Sequence, residues 1–253
     1  MTKKKYSNGY LVFILLPIYN EENGIKKLIL NILKDLNKLK IRFKIICIND
    51  GSTDQTLKIV KSIKAQNIKI INHQINLGLG NTIMTGIDFI VNFKSKCEKL
   101  LVRLDADNTH DPKYIKYMID EIVNNNYDIV IASRFVEGGG QAGIPKNRKI
   151  ISNIANLLMR RLLGLSNIKE ITCGYRAYKV SFIKKVIPMW KGSFFQLVNF
   201  GFSSTVEKLI KFNLCKAKIK EIPFKLRYDK KQSESKMVFS ITTIGYIIMI
   251  FLY

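Results

Sequence analysis

The stretch Leu101–Pro112 reads LVRLDADNTHDP, an apolar run that ends in two aspartates separated by one residue, with Arg103 its only lysine or arginine. A short apolar run of this kind reads as a buried strand. Residues two apart in a strand share a face, so Asp105 and Asp107 are expected to project together at the strand's rim. Two carboxylates held close raise each other's pKa unless a cation lies between them. The loop that follows offers no lysine or arginine in reach, so a divalent metal is the expected partner. Hard carboxylate oxygens suit Mg²⁺ or Mn²⁺, which complete their shell with water and substrate phosphates. The same spelling also fits an aspartate N-cap with a turn aspartate, ahead of the helix that opens at Pro112.

The elements that must carry this pair alternate in type. The strand YLVFILLP precedes a helix from about Asn23 to Leu39, and FKIICIND precedes a helix from about Asp54 to Ala65. IKIINH leads to a helix near Gly80 to Phe93, and KLLVRLDAD to a helix from Pro112 to about Asn124, with proline in its first turn. The strand YDIVIASR, the loop EGGGQAG and a helix from about Lys146 to Leu163 follow. Such alternation predicts an α/β fold, a mostly parallel sheet with helices on both faces. Ligands of open α/β sheets gather where strands end at their carboxyl side. Here those ends read PIYNEE, NDGSTD, NLGLGN (after the third strand), DAD and SRF, and all are small, polar or acidic. Asp50 closes the second strand and can accept hydrogen bonds from a ribose or a base, while Asp54 can cap the next helix. The glycine fingerprint of nicotinamide enzymes is missing after the first strand, where PIYNEEN stands instead.

The chain has 253 residues, 47% of them hydrophobic, enough to bury a sizeable core. Forty-two Lys and Arg against 19 Asp and Glu leave a formal charge of +23. Nucleic acid, phosphorylated substrates and acidic lipid surfaces are the partners such a charge suits, although spread-out lysines also form plain solvated faces. Nucleic acid is disfavoured, because no recognised module is present and the aromatics are not grouped as stacking platforms. Cys47, Cys97, Cys173 and Cys215 are scattered, which argues against a zinc site or disulfide framework and suits a reducing cytoplasm. The opening MTKKKYSNGYLVFILLP imitates a signal peptide, but its apolar run is short and meets PIYNEEN, so it reads as a first strand. From Met237 to Tyr253 the chain is uncharged and apolar, just short of the ~20 residues of a spanning helix. The basic KLRYDKKQSESK precedes it, as juxtamembrane segments on the cytoplasmic side do. We therefore expect a catalytic domain over residues 1–235 and a membrane-contacting segment over 236–253, a buried core helix being the alternative for the latter. The sequence sets no oligomeric state.

The ordered set LPIYNEEN, INDGSTDQT, NLGLGNTIMTGI, LDADNTHDP, ASRFVEGGG, TCGYRAY and EIPFKLRYDKKQSESKM resembles the inverting glycosyltransferases of family two, which have the GT-A fold. The resemblance runs from about Leu11 to Met237 and is greatest to the branch typified by dolichol-phosphate mannose synthase and its bacterial polyprenyl-phosphate relatives. It implies that Pro17, Tyr19, Glu21 and Asp50 line a nucleoside pocket with Gly78 close by. It also implies that Asp105 and Asp107 form the D-x-D motif holding a metal and the donor diphosphate. Thr109 stands where some relatives carry a metal-reaching glutamine, and Asn49 where an aspartate is common. Arg134, Arg148 and Ser152 match positions that hold the acceptor phosphate and the donor's phosphates. Arg227 and Lys236 fall in a segment that folds over the diphosphate.

The implied reaction moves one sugar from a nucleoside-diphosphate sugar, GDP-mannose or similar, to a polyprenyl phosphate at the cytoplasmic face of a membrane. Leaving-group charge on the diphosphate calls for a metal and cationic side chains, with Asp107, Arg134 and Lys236 as the catalytic candidates and guanidinium suited to phosphate. A sugar hydroxyl acceptor needs a positioned base, for which Glu207 is the candidate, although it can equally orient a cation. A lipid monophosphate instead needs cations that offset repulsion between phosphates, a demand that Arg134, Arg148, Arg176 and Lys236 suit, with structural pairing an equal alternative for Arg176. Transfer to a hydroxyl of a surface glycan or glycolipid is the second reading. Processive synthesis is not expected, because Gln196 is followed by LVNF and not by the Q-x-x-R-W signature. The helix around Ser152–Leu163, with Arg160 and Arg161, has the composition of an interfacial amphipathic surface, or of a plain core helix.

Overall fold

The computed structural model describes residues 9–144, 146–234, 236 and 239–253. In chain order its strands and helices are β1 (Tyr10–Ile18), α1 (Ile25–Lys38), β2 (Phe43–Asp50), α2 (Thr56–Ser62), β3 (Ile68–His73), α3 (Gly78–Asn92), β4 (Glu98–Arg103) and α4 (Tyr114–Asn125). There follow β5 (Ile129–Ser133), β6 (Gly140–Ala142), α5 (Lys146–Leu162), β7 (Arg176–Lys179), α6 (Val180–Val186), α7 (Ser203–Leu214), β8 (Ile219–Pro223), β9 (Lys225–Arg227) and α8 (Phe239–Leu252).

Seven strands form one sheet in the order β3-β2-β1-β4-β7-β5-β8, and β6 and β9 pair separately. Alternation along β1 explains why the sheet is buried on both sides. Val12, Ile14 and Leu16 enter one apolar cluster, and Phe13 and Leu15 the other. Each fully buried side chain of this kind stabilises the fold by about 1.5–3 kcal/mol. On α1, Ile25, Leu28, Ile29, Ile32 and Leu36 recur at helical spacing and are buried against the first cluster. The sheet is parallel except for β7, which runs antiparallel between β4 and β5. Strand order reverses at β1, with β2 on one side and β4 on the other. A crevice opens at the carboxyl ends of strands at such a switch point. PIYNEE and DAD are the ends that meet there.

β4 and β7 differ from the sequence expectation. β4 stops at Arg103, short of the aspartates. The Asp105 N–H donates to Nδ1 of His110, not to a neighbouring strand, and Asn108 adopts a left-handed φ of 64°. TCGYRAY supplies a strand, β7, that its sequence did not announce. The C-terminal helix α8 spans about 21 Å for 14 residues, less than the ~30 Å of a bilayer core. No described helix is long and apolar enough to cross a membrane. Thr242 and Met249 of α8 are buried. A Cβ at Gly245 would stand 2.7 Å from Phe200 and from Ser203 at the start of α7, so glycine permits close approach there. Its other face leaves Ile241, Ile244, Ile247 and Phe251 exposed.

Candidate active site

The loops after β1, β2 and β4 are tied together before they meet any ligand. The Asn20 N–H donates to Ser52 Oγ at 3.0 Å, and the Thr53 N–H returns a bond to Asn20 Oδ1 at 2.8 Å. The Glu21 N–H donates to Thr56 Oγ1 at 2.7 Å. Asp54 accepts from the Thr56 N–H at 2.9 Å, but the N-cap position of α2 falls on Gln55, whose side chain makes no capping bond, so the expected cap lies one residue upstream of the helix boundary. Gly51, at φ 65°, makes the turn between them, where a Cβ would stand 2.4 Å from the Ile75 backbone. Asp50 is buried and accepts from the N–H groups of Leu77 and Gly78 and from His73 Nδ1, at 3.0, 2.9 and 2.7 Å. Much of its acceptor capacity therefore shapes the loop into α3. This is a structural duty that the sequence reading, which gave it to the nucleoside, did not include.

These loops enclose a cavity of about 560 Å³ lined by Pro17, Tyr19, Glu21, Asp50, Gly78, Asp105, Asp107 and Lys236. Eight residues singled out from sequence thus converge on one space. Lys231, Asn76, Asn199 and Phe202 line it as well, and sequence reasoning passed over all four. Only the doubled lysine in KLRYDKKQSESK hinted at Lys231.

The expectation that no lysine or arginine reaches the carboxylate pair is corrected at both members. Arg103 Nη2, two residues earlier at the end of β4, donates to Asp105 Oδ1 at 2.5 Å. A Cβ at Gly174 would stand 1.5 Å from Arg103 Nη1, so this guanidinium needs glycine in CGYRAY. Asp107 Oδ2 pairs with the Lys231 ammonium, 124 residues away in sequence. Burial raises the Asp107 pKa, but the Lys231 charge, the neighbouring His110 and the hydrogen bonds from Lys231 and Thr109 together outweigh it and hold the carboxyl below its ordinary range. Lys231 is raised in turn, against the burial that would lower it. Thr109 Oγ1 donates to Asp107 Oδ1 at 2.6 Å, which makes Thr109 a support of the carboxylate.

His110, also missed from sequence, positions the loop. It accepts the Asp105 N–H at Nδ1, so its own proton sits on Nε2, 3.7 Å from Cys173 Sγ. Burial pushes its pKa down despite the neighbouring aspartates, and its ring stacks on Tyr175 with centroids 5.0 Å apart. Glu21 is 6% exposed and accepts from Ser233 Oγ at 3.0 Å. Burial, reinforced by the Asp107 charge, pushes its carboxyl up to about 7.

Other candidates lie elsewhere. Arg134 grips Glu170 through Nε at 2.7 Å and Nη2 at 2.9 Å, and also reaches Thr172. Burial works against that charge, but Glu170 more than compensates and raises the Arg134 pKa. Arg134 is therefore not a free phosphate-binding cation in this structure and does not line the cavity. Arg227 pairs with Asp229 at 2.6 Å, away from the cavity, and its N–H donates to the Thr109 carbonyl. Arg176 is fully buried and donates to the carbonyls of Cys173, Thr205 and Ile171, which settles it as structural. Glu207 is fully buried, accepts from the Gln196 and Leu197 N–H groups and pairs with Lys211 at 2.7 Å. It is not placed to act as a base. Ser152 lies on α5, outside the cavity lining. The side chain of Arg148 lies outside the described residues.

The cavity floor suits a divalent cation. Its two carboxylates are hard oxygen donors, and the Lys231 ammonium on Asp107 marks where positive charge is accepted. Among the described residues no three His, Cys, Asp or Glu side chains cluster as a complete protein cage. A metal here would therefore draw its remaining ligands from substrate and water, the usual arrangement for Mg²⁺ with phosphates.

A switch-point crevice with a D-x-D pair on its floor defines a GT-A fold, a nucleotide-binding α/β architecture of sugar transferases. The chain belongs to glycosyl transferase family 2, whose model matches residues 13–187, and it is a glycosyltransferase. It is 29% identical over 228 residues to a dolichol-phosphate mannosyltransferase of Pyrococcus furiosus, a match that covers 89% of this chain and 59% of that protein. Against a polyprenol monophosphomannose synthase of Mycolicibacterium smegmatis it is 28% identical over 176 residues, covering 68% of this chain and 63% of the relative. The matches thus span about three fifths of the length of both relatives. Glucosyl-3-phosphoglycerate synthase of Mycobacterium tuberculosis, solved with Mn²⁺, UDP and phosphoglyceric acid, superposes with a TM-score of 0.68 at 14% identity. That superposition covers 98% of this chain and 81% of the other, and it shows the shared fold.

Proposed function

We propose that this chain moves one sugar, with inversion, from a nucleoside-diphosphate sugar such as GDP-mannose to a polyprenyl phosphate. The observation that carries the reading is the single cavity in which Asp105 and Asp107 meet the lysines Lys231 and Lys236 at the β1/β4 switch point. The names of the two curated relatives support the donor and acceptor class. Asp105 and Asp107 would hold Mg²⁺ or Mn²⁺, which when bound offsets the charge that grows on the leaving diphosphate. Lys231 and Lys236 add positive charge beside the same group. The Asp50-anchored loop shapes the nucleoside end of the cavity, and Tyr19 and Pro17 wall it.

With Glu207 locked to Lys211, a phosphate acceptor, already an anion, needs no proton removed. One observation favours the second reading: Glu21 faces the cavity with a carboxyl near neutrality, the range of a general base for a hydroxyl. We place the enzyme at the cytoplasmic face of a membrane. Ile150, Ile154, Leu157, Leu158 and Leu162 form a stripe along α5 between 43% and 58% exposed, and α8 presents a second apolar face. Both suit a surface that lies in the interface without spanning it.

The purified protein, given radiolabelled GDP-mannose or UDP-glucose with either undecaprenyl phosphate or a glycan, is expected to label the lipid and to lose activity with chelator. Asp107→Asn is expected to lower kcat by about 10²-fold or more. Label on the glycan alone would replace the first reading by the second.

A further inference from the structure

The site carries a cation of its own on the carboxylate proposed to hold the metal. Asp107 Oδ2 bears the Lys231 ammonium, both side chains are less than 15% exposed, and each shifts the other's pKa toward the charged form. Asp105 is likewise matched to Arg103. The two carboxylates are therefore balanced by two protein cations. A divalent ion arriving alone would have to push Lys231 aside against like-charge repulsion. It would leave that ammonium in a half-buried pocket whose remaining nearby carboxylate is Glu21.

The segment that brings Lys231 here is tied at two points. The Arg227 N–H donates to the Thr109 carbonyl, beside the D-x-D loop. On the far side, Ser233 Oγ donates to Glu21 Oε1. Lys231 sits between these ties, on a four-carbon stem whose charge is a movable point. Two cations seeking one carboxylate exclude each other, unless an anion takes up the one displaced. A diphosphate in the same cavity is such an anion.

We infer that Lys231 and the divalent cation compete for Asp107, and that a nucleoside diphosphate resolves the competition by taking up Lys231, so that metal and nucleotide bind as a coupled pair. The inference rests on the proposed function for the identity of the anion, and it assigns Lys231 as a donor-site residue. Coupling of this kind is reciprocal: whatever factor the nucleotide adds to metal affinity, the metal adds to nucleotide affinity.

The test uses Mn²⁺ alone, followed by electron paramagnetic resonance or calorimetry on the full chain, and then repeated with saturating GDP or UDP. The wild-type protein is expected to bind Mn²⁺ weakly alone and about tenfold or more tightly with nucleotide. Lys231→Met keeps the stem and removes the charge. It is expected to bind Mn²⁺ alone about tenfold more tightly than wild type and to lose most of the nucleotide's effect. Lys231→Arg retains the competing charge and should restore wild-type coupling, while Ser233→Ala, which frees one tie but keeps the ammonium, should fall between. Equal Mn²⁺ affinity for wild type and Lys231→Met, in proteins of unchanged circular dichroism, overturns the competition and leaves the transferase reading standing. Mn²⁺ binding that Asp107→Asn does not weaken, with nucleotide present, removes the metal site and the reading on which the inference rests.

Discussion

Glu21 shows most directly how single side chains in the cavity trade burial against charge. Its carboxyl is pushed up to about 7 from an ordinary 4.5, by burial first and by Asp107 second. An acid whose folded pKa is raised binds its proton more tightly in the folded chain than in the unfolded one. The stability this contributes is complete below about pH 4.5 and is lost as pH rises through 7. At about 1.4 kcal/mol per pKa unit, the difference between the extremes is on the order of 3 kcal/mol. Glu21→Gln, which cannot ionise, should therefore unfold at a higher urea concentration than wild type at pH 8 and at nearly the same concentration at pH 4. Parallel unfolding curves at both pH values would mean that Glu21 ionises as an exposed glutamate does. Asp107 behaves in the opposite sense, because Lys231 sits on it; chain neighbours alone do not distinguish the two acids.

At the scale of elements, what the sequence revealed and what it hid have a common explanation. β1 through α4 were legible because buried parallel strands and amphipathic helices write their pattern into adjacent residues: LVFILL, IIC, and Ile25, Leu28, Ile29 and Ile32. The D-x-D pair was legible by residue type. β7 was not, because four residues that slot antiparallel between β4 and β5 owe their conformation to both neighbours. The fates of the arginines were hidden for the same reason. Arg134 finds its partner 36 residues on, in the segment that leads into β7, and Asp107 finds Lys231 after β9. The Arg134–Glu170 pair pins that segment to the end of β5. Removing one member of a buried ion pair leaves an uncompensated charge and costs about 3–5 kcal/mol. Glu170→Gln is expected to lower stability in chemical denaturation by about that amount, whereas replacing both residues by methionine should cost far less. If the single and double replacements prove equally costly, the pair acts through its shape and not its charge.

For the molecule as a whole, the excess of 42 basic over 19 acidic residues and the two apolar faces of α5 and α8 bear on the same question. A basic surface alone binds any polyanion and releases it as salt rises, because screening shortens the reach of exposed charges to under 10 Å. Apolar side chains inserted into an interface do not respond to salt in that way. Vesicle flotation therefore separates the two contributions. Binding to vesicles that contain anionic lipid should exceed binding to neutral phosphatidylcholine, at about 1 kcal/mol for each lysine or arginine near the surface. It should weaken but persist at about 0.5 M salt. Ile154→Ser with Leu158→Ser on α5, and separately Phe251→Ser on α8, should each remove part of the salt-resistant fraction, and the larger loss identifies the helix that lies deeper. Binding that vanishes entirely at high salt, unchanged by either set of substitutions, would reduce the charge to a solvated surface and leave the exposed stripes to another partner.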